Sequence, residues 1–181
     1  MMRELSLHIL DIAQNSIRAG AENLDIRIEE NFCENILLIK VGDDGRGIEK
    51  DSIEEVVDPF VTTRTTREVG LGLSLLQETA ESSGGSLSID SEPGEGTAVT
   101  ARFELDHLDR PPLGSLADTL ISLIAVNPDL EITYRHQKDG DSFDFSTEEI
   151  KAELQDIDIQ EPGILKWLEE YLRENIAEVR G

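Results

Sequence analysis

Two pairs of short apolar runs, each pair joined by a polar link and set off by helix-length segments, constrain most what residues 1–107 can fold into. Leu24, Ile26 and Ile28 alternate with polar residues, and the run Ile36, Leu37, Leu38, Ile39, Val41 follows after the link Asn31–Asn35. Leu87 and Ile89, then Val99, Ala101 and Phe103, repeat the pattern across Pro93, Gly94 and Gly96. Period-two alternation closed by turn residues predicts β-hairpins. Helix-period apolar residues over 3–19, a short acidic segment near 49–57, and 70–82 closed by Gly84 and Gly85 predict helices. Pairs of adjacent strands separated by helices imply an α/β two-layer sandwich, with a mixed, mostly antiparallel sheet covered by helices on one face.

Arg110, Pro111 and Pro112 interrupt the pattern, and a boundary is placed there. Residues 108–181 form a small α+β extension in this reading. It comprises a helix at 114–126, a strand through Ile132 and Tyr134, an Asp139–Gly140 turn, a strand at Phe143 and Phe145, a capping box Ser146–Glu149 and a last helix. Trp167 and Tyr171 on that helix are read as packing on their own domain, with a protein-partner or homodimer surface as the alternative.

The formal charge of −23 disfavours nucleic acid and anionic membranes as partners, both being negative themselves. Any anionic ligand then has to be held by local devices: backbone N–H groups, a few arginines or a bound cation. Cys33 is the sole cysteine, so no internal disulfide forms, and a cytoplasmic location is expected. His8, Asp11, Gln14 and Asn15 interrupt the first helix, which rules it out as a membrane span or signal peptide.

Four local patterns carry the chemistry. His8, Asp11, Asn15 and Arg18 are spaced three, four and three, so they share one helix face. Such a face usually meets solvent, but apolar residues crowd both its flanks and suit a groove better. Asp43, Asp44, Gly45, Arg46, Gly47 leaves a strand; as a turn it is ordinary, though its glycines admit close approach and Asp43 could accept from an exocyclic amine. Gly70, Leu71, Gly72, Leu73 opens a helix after a loop bearing Arg64 and Arg67, an arrangement that suits phosphate. Gly94, Glu95, Gly96, Thr97 reads alone as a hairpin loop.

In this order the four patterns strongly resemble the GHKL superfamily of histidine kinases, gyrase- and MutL-type ATPases, Hsp90 and anti-sigma kinases, across 1–107. DIAQNSIRAGA resembles the N box, DDGRGI the G1 box, DPFVTTR the F box, GLGLSLL the G2 box and GEGT the last box. The resemblance implies a Mg²⁺-dependent ATP site. Asn15 would ligate the metal, Asp11 would stand where a general base is found, and Arg18 would meet phosphate. Asp43 would take the adenine amino group, with Gly45 and Gly47 along the adenine pocket and Thr97 near the ring. Phe60, Thr63, Arg64 and Arg67 would belong to the lid, and Gly70, Leu71, Gly72 and Leu73 to the phosphate cradle.

Asp11 is one methylene shorter than the Glu of hydrolytic relatives, so slow hydrolysis is expected. The lid between Phe60 and Gly70 is short, which limits closure. Because the chain opens at the N-box helix, His8 is expected to pack or support, not to accept phosphate. His107 and His136 carry no pattern. The functional expectation is a stand-alone regulatory kinase or ATPase acting on a protein partner, or else a non-catalytic ATP sensor that signals through 108–181. A motor fragment of the gyrase or MutL kind fits poorly, since no lysine in 108–181 stands out to complete a phosphate site.

Overall fold

The computed structural model describes residues 4–57 and 70–181, with backbone alone for 54–57 and 70–71. The elements are α1 (Leu5–Arg18), β1 (Asn23–Asn31), β2 (Ile36–Asp43), α2 (Lys50–Val57), α3 (Gly70–Ser82), β3 (Ser86–Glu92) and β4 (Gly96–Glu104). The chain continues through α4 (Leu116–Val126), β5 (Glu131–Lys138), β6 (Asp141–Ser146), α5 (Thr147–Leu154) and α6 (Pro162–Arg180). Both expected hairpins form, as β1–β2 and β3–β4, each antiparallel.

The six strands make one sheet in the order β3-β4-β2-β1-β5-β6. All neighbouring pairs are antiparallel except β1 and β5, which run parallel from Asn23 beside Glu131 to Glu30 beside Lys138. The sheet is therefore mixed and mostly antiparallel. It also runs through the expected boundary: the extension supplies its last two strands and covers the edge that β1 would otherwise leave open. The linker is pinned as well, because Leu5 N–H donates to Pro112 O at 2.9 Å and Arg110 Nε to Leu105 O at 2.7 Å.

Alternation decides which face the helices cover. Leu24, Ile26, Ile28, Leu37, Ile39, Val41, Val99, Ala101, Phe103, Ile132 and Tyr134 point inward and are buried. Leu5, Ile9, Ile12 and Ala13 of α1, Leu73, Leu76 and Ala80 of α3, and Leu168 and Leu172 of α6 meet them in one core. Each such Leu or Ile contributes about 1.5–3 kcal/mol by leaving water. The opposite face carries Asp25, Arg27, Lys40 and Arg102, and Arg27 pairs there with Asp25 at 2.7 Å. Ser115 caps α4 by accepting from Asp118 N–H, and Ser146 caps α5 by accepting from Glu149 N–H, as the Ser146–Glu149 pattern predicts. Trp167 stacks on Tyr171 at 5.4 Å and Tyr171 meets Phe143 edge-on, so these aromatics seat α6 on β6, while Trp167 stays half exposed. Among the described residues, no helix is long and apolar enough to cross a membrane.

Candidate functional site

Where the C-terminal half of α1 crosses the ends of β2 and β4, a cavity of about 250 Å³ opens. Ile12, Ala19, Ile48, Leu73 and Val99 supply apolar wall; Asn15, Ser16, Arg18, Asp43, Arg46, Glu49, Ser52 and Thr97 supply polar groups. A mostly apolar wall with a few fixed polar groups is the usual form of a small-molecule site.

Asp43 is the best-fixed of these groups. Ser16 Oγ donates to its Oδ2 at 2.5 Å and Gly45 N–H to its Oδ1 at 2.9 Å. Its β4 neighbour is Thr97. Ser91 Oγ donates to Gly96 O at 2.9 Å, accepts from Ile48 N–H at 2.8 Å and lies 2.8 Å from Thr97 Oγ1. With its own hydrogen spent on Gly96, Ser91 accepts the Thr97 hydrogen, and Thr97 then offers the cavity an acceptor. Asp44 plays another part. Asn23 Nδ2–H and the N–H groups of Glu22 and Asn23 donate to it, and the bonds from Asn23 chiefly hold its carboxyl below the usual range. It ties the turn after β2 to the start of β1.

Gly47 lies at φ +71°, and a Cβ there would stand 2.1 Å from Glu92 O. The turn can therefore press against the β3–β4 hairpin only as glycine.

The polar face of α1 divides into two. Asn15 and Arg18 reach the cavity wall, with Arg18 Nη1 donating to Asn15 Oδ1 at 3.3 Å. Asp11 lies off that wall: its carboxylate packs on α3, where a Cβ on Gly72 would stand 1.6 Å from Oδ2. Gly72 thus serves close helix approach. His8 is 3 % exposed, and neither ring nitrogen has a hydrogen-bond partner among the described residues. Burial pushes its imidazole down from the ordinary value, against the opposing pull of the Asp11 charge. A neutral buried ring with two idle nitrogens costs stability, so His8→Leu is expected to raise stability by about 1 kcal/mol. Thermal unfolding should then show a gain of roughly 2–4 °C; a fall would mean that the ring has a partner.

Of the other residues named from the sequence, Leu73 and Thr97 line the cavity, Gly45 donates to Asp43, and Gly70 begins α3. Phe60, Thr63, Arg64 and Arg67 lie outside the described residues, as does the side chain of Leu71. Sequence reasoning gave no individual role to Ser16, Ser91, Arg46, Ile48 and Glu49. Ser16 follows Asn15 on the helix side that turns to the sheet, the one signal available for it. Ser91 carried none, because its partners come from β4 and the β2–α2 turn.

This arrangement, a mixed sheet with α1 laid over a carboxylate at the end of β2 and a glycine turn beside it, defines a histidine-kinase-like ATPase domain. The model of the histidine kinase-, DNA gyrase B- and HSP90-like ATPase family matches residues 3–107, and the chain belongs to that family. Among curated relatives, sporulation kinase D of Bacillus subtilis is 34 % identical over 92 residues, covering 51 % of this chain and 18 % of that one. The sensor histidine kinase YxdK of the same organism is 34 % identical over 105 residues, covering 55 % of this chain and 32 % of that one. The matched segment thus spans a minor part of these relatives. Among solved structures, the Aquifex aeolicus MutL ATPase domain complexed with ADP aligns with a TM-score of 0.52 at 18 % identity, over 86 % of this chain and 70 % of that one. An N-terminal domain of a DNA repair protein aligns with a TM-score of 0.56 at 16 % identity, over 81 % and 53 %. These structures share the fold.

Proposed function

We propose that the cavity binds ATP with Mg²⁺ and that the chain is a regulatory kinase or ATPase acting on a protein partner in the cytoplasm. The observation that carries this reading is the Asp43 carboxylate, fixed between Ser16 and Gly45 at the end of an apolar cavity and beside Thr97. An acceptor so placed suits the exocyclic amine of adenine, and Ile12, Ile48, Leu73 and Val99 suit the ring faces. The phosphates would run past Asn15 and Arg18 toward the start of α3, where helix N–H groups favour anions.

Mg²⁺ prefers oxygen ligands, keeps several waters and takes much of its coordination from phosphates. Asn15 Oδ1 fits as one neutral oxygen donor. No cluster of three or more His, Cys, Asp or Glu among the described residues competes with it. When bound, the ion would neutralise phosphate charge. Asn15 would orient it, and Arg18, which donates to Asn15 Oδ1, would have to turn toward the phosphates.

A second reading, a non-catalytic ATP sensor signalling through 108–181, is favoured by two observations: Asp11 rests on Gly72 away from the cavity wall, and the extension shares the sheet. Calorimetry of ATP binding with and without Mg²⁺, followed by a phosphate-release assay, tests both readings. Absence of binding sinks both, and binding without release or transfer favours the sensor. Asn15→Ala should abolish the Mg²⁺-linked gain in affinity, expected at about tenfold or ~1.4 kcal/mol, with an unchanged circular-dichroism spectrum. An unfolded variant would instead make Asn15 a structural residue.

A further inference from the structure

The extension is fastened to the rest of the sheet by a buried polar chain that the nucleotide site does not use. His136 on β5 is fully buried. Its Nδ1 lies 2.9 Å from Tyr134 Oη and its Nε2 lies 2.8 Å from Oε1 of Glu30 on β1. The same carboxylate oxygen lies 3.3 Å from Nε of Arg180, in the last turn of α6. Lys138 Nζ donates to the Arg180 carbonyl oxygen, adding a second tie to that turn.

The proton positions follow from chemistry. Burial pushes the Tyr134 hydroxyl far above its ordinary pKa, so it stays protonated in its hydrogen bond with Nδ1. An ionised carboxylate only accepts, so Nε2 carries a hydrogen and donates it to Glu30. Glu30 accepts from His136 and pairs in charge with the Arg180 guanidinium.

Burial alone would push the Glu30 carboxyl up. The bond from His136 and the charges of Arg180 and Lys138 outweigh that effect and hold it below the usual range. Arg110, from the segment before α4, adds a cation that Glu30 stabilises. The Asp139 carboxylate is engaged by Phe32 N–H, and β6 turns Phe143 and Phe145 inward. A carboxylate with a lowered pKa contributes stability above its unfolded pKa and loses it as pH falls through the folded value. Protonation would weaken the bond accepted from His136 and remove the counter-charge of Arg180.

We infer that Tyr134, His136, Glu30 and Arg180 form a clasp that holds the last turn of α6 on the sheet while Glu30 is ionised and releases it on proton uptake. The clasp stands independently of the nucleotide reading. Hydrogen exchange by mass spectrometry on the full chain, from about pH 7 to about pH 2.5, below the usual carboxylate range, and corrected for intrinsic rates, reads it directly. Peptides covering 172–181 should exchange at least roughly tenfold faster at the acid end, a change of ~1.4 kcal/mol in opening free energy, while β2 and β4 stay protected. Glu30→Gln should exchange fast at neutral pH and lose the pH dependence. Arg180→Ala, whose side chain is 41 % exposed, should also exchange fast at neutral pH. A wild type flat with pH, an Arg180→Ala variant as protected as wild type, or simultaneous loss of protection in β2 and β4 would each overturn the clasp, even if Glu30→Gln fails to fold.

Discussion

Replacing Gly47 by alanine should destabilise the domain by about 3 kcal/mol or more and abolish nucleotide binding, while the same change at Gly94 should cost about 1–2 kcal/mol. Both glycines have left-handed backbones, at φ +71° and +82°. Any L-residue pays about 1–2 kcal/mol for that conformation, so the penalty is common to both. Their surroundings differ. At Gly94 a Cβ meets nothing within 4 Å, whereas at Gly47 it would lie 2.1 Å from Glu92 O and 3.2 Å from Gly96 O. Those oxygens belong to paired residues at the end of the β3–β4 hairpin, so neither can withdraw without breaking the ladder. The turn must move instead, and with it Ile48, which donates to Ser91 and lines the cavity. Urea unfolding of the two variants beside an ATP titration is the check. Equal losses at the two positions would mean that the turn is free of the hairpin.

Local chemistry explains how much of this was legible in advance. The hairpins, α3 from Gly70 to Ser82 and the cap at Ser146 follow from alternation, helix period and turn residues, which act over a few positions. Asn15, Arg18, Asp43, Leu73 and Thr97 each sit in a short pattern, and the fold gathers them at one cavity. Asp11 shared that pattern with Asn15, but packing against Gly72 takes its carboxylate off the cavity wall.

Strand order was beyond reach, because pairing is non-local. Nothing in Glu131–Lys138 states that it lies parallel to β1, and an alternating strand fits any open edge. His136 illustrates the consequence. In the sequence it follows a strand without any pattern, yet the β1 pairing brings Glu30 to it and α6 brings Arg180 to Glu30. Ser16 was missed for a similar reason, since its partner Asp43 is 27 positions away.

Asp43→Asn should weaken ATP binding by roughly 10- to 150-fold, the equivalent of ~1.5–3 kcal/mol for a charge-assisted hydrogen bond, without unfolding the protein. The internal contacts can survive the change. With its oxygen kept toward Gly45 N–H, the new amide turns its nitrogen to Ser16, whose hydroxyl can accept from it and donate to Ile12 O, already 3.2 Å away. What changes is the group presented to the ligand. An amine that met a carboxylate now meets a neutral amide whose free hydrogen points outward as a donor. Donor then faces donor at the adenine amino group, while a purine with a carbonyl at that position gains a partner. Preference for ATP over inosine triphosphate should therefore narrow or reverse in the variant. Calorimetry with both nucleotides and a thermal melt of the unliganded protein decide the matter. Unchanged ATP affinity would remove Asp43 from base recognition. A large fall in melting temperature would make its bonds to Ser16 and Gly45 a structural strut, with adenine read elsewhere.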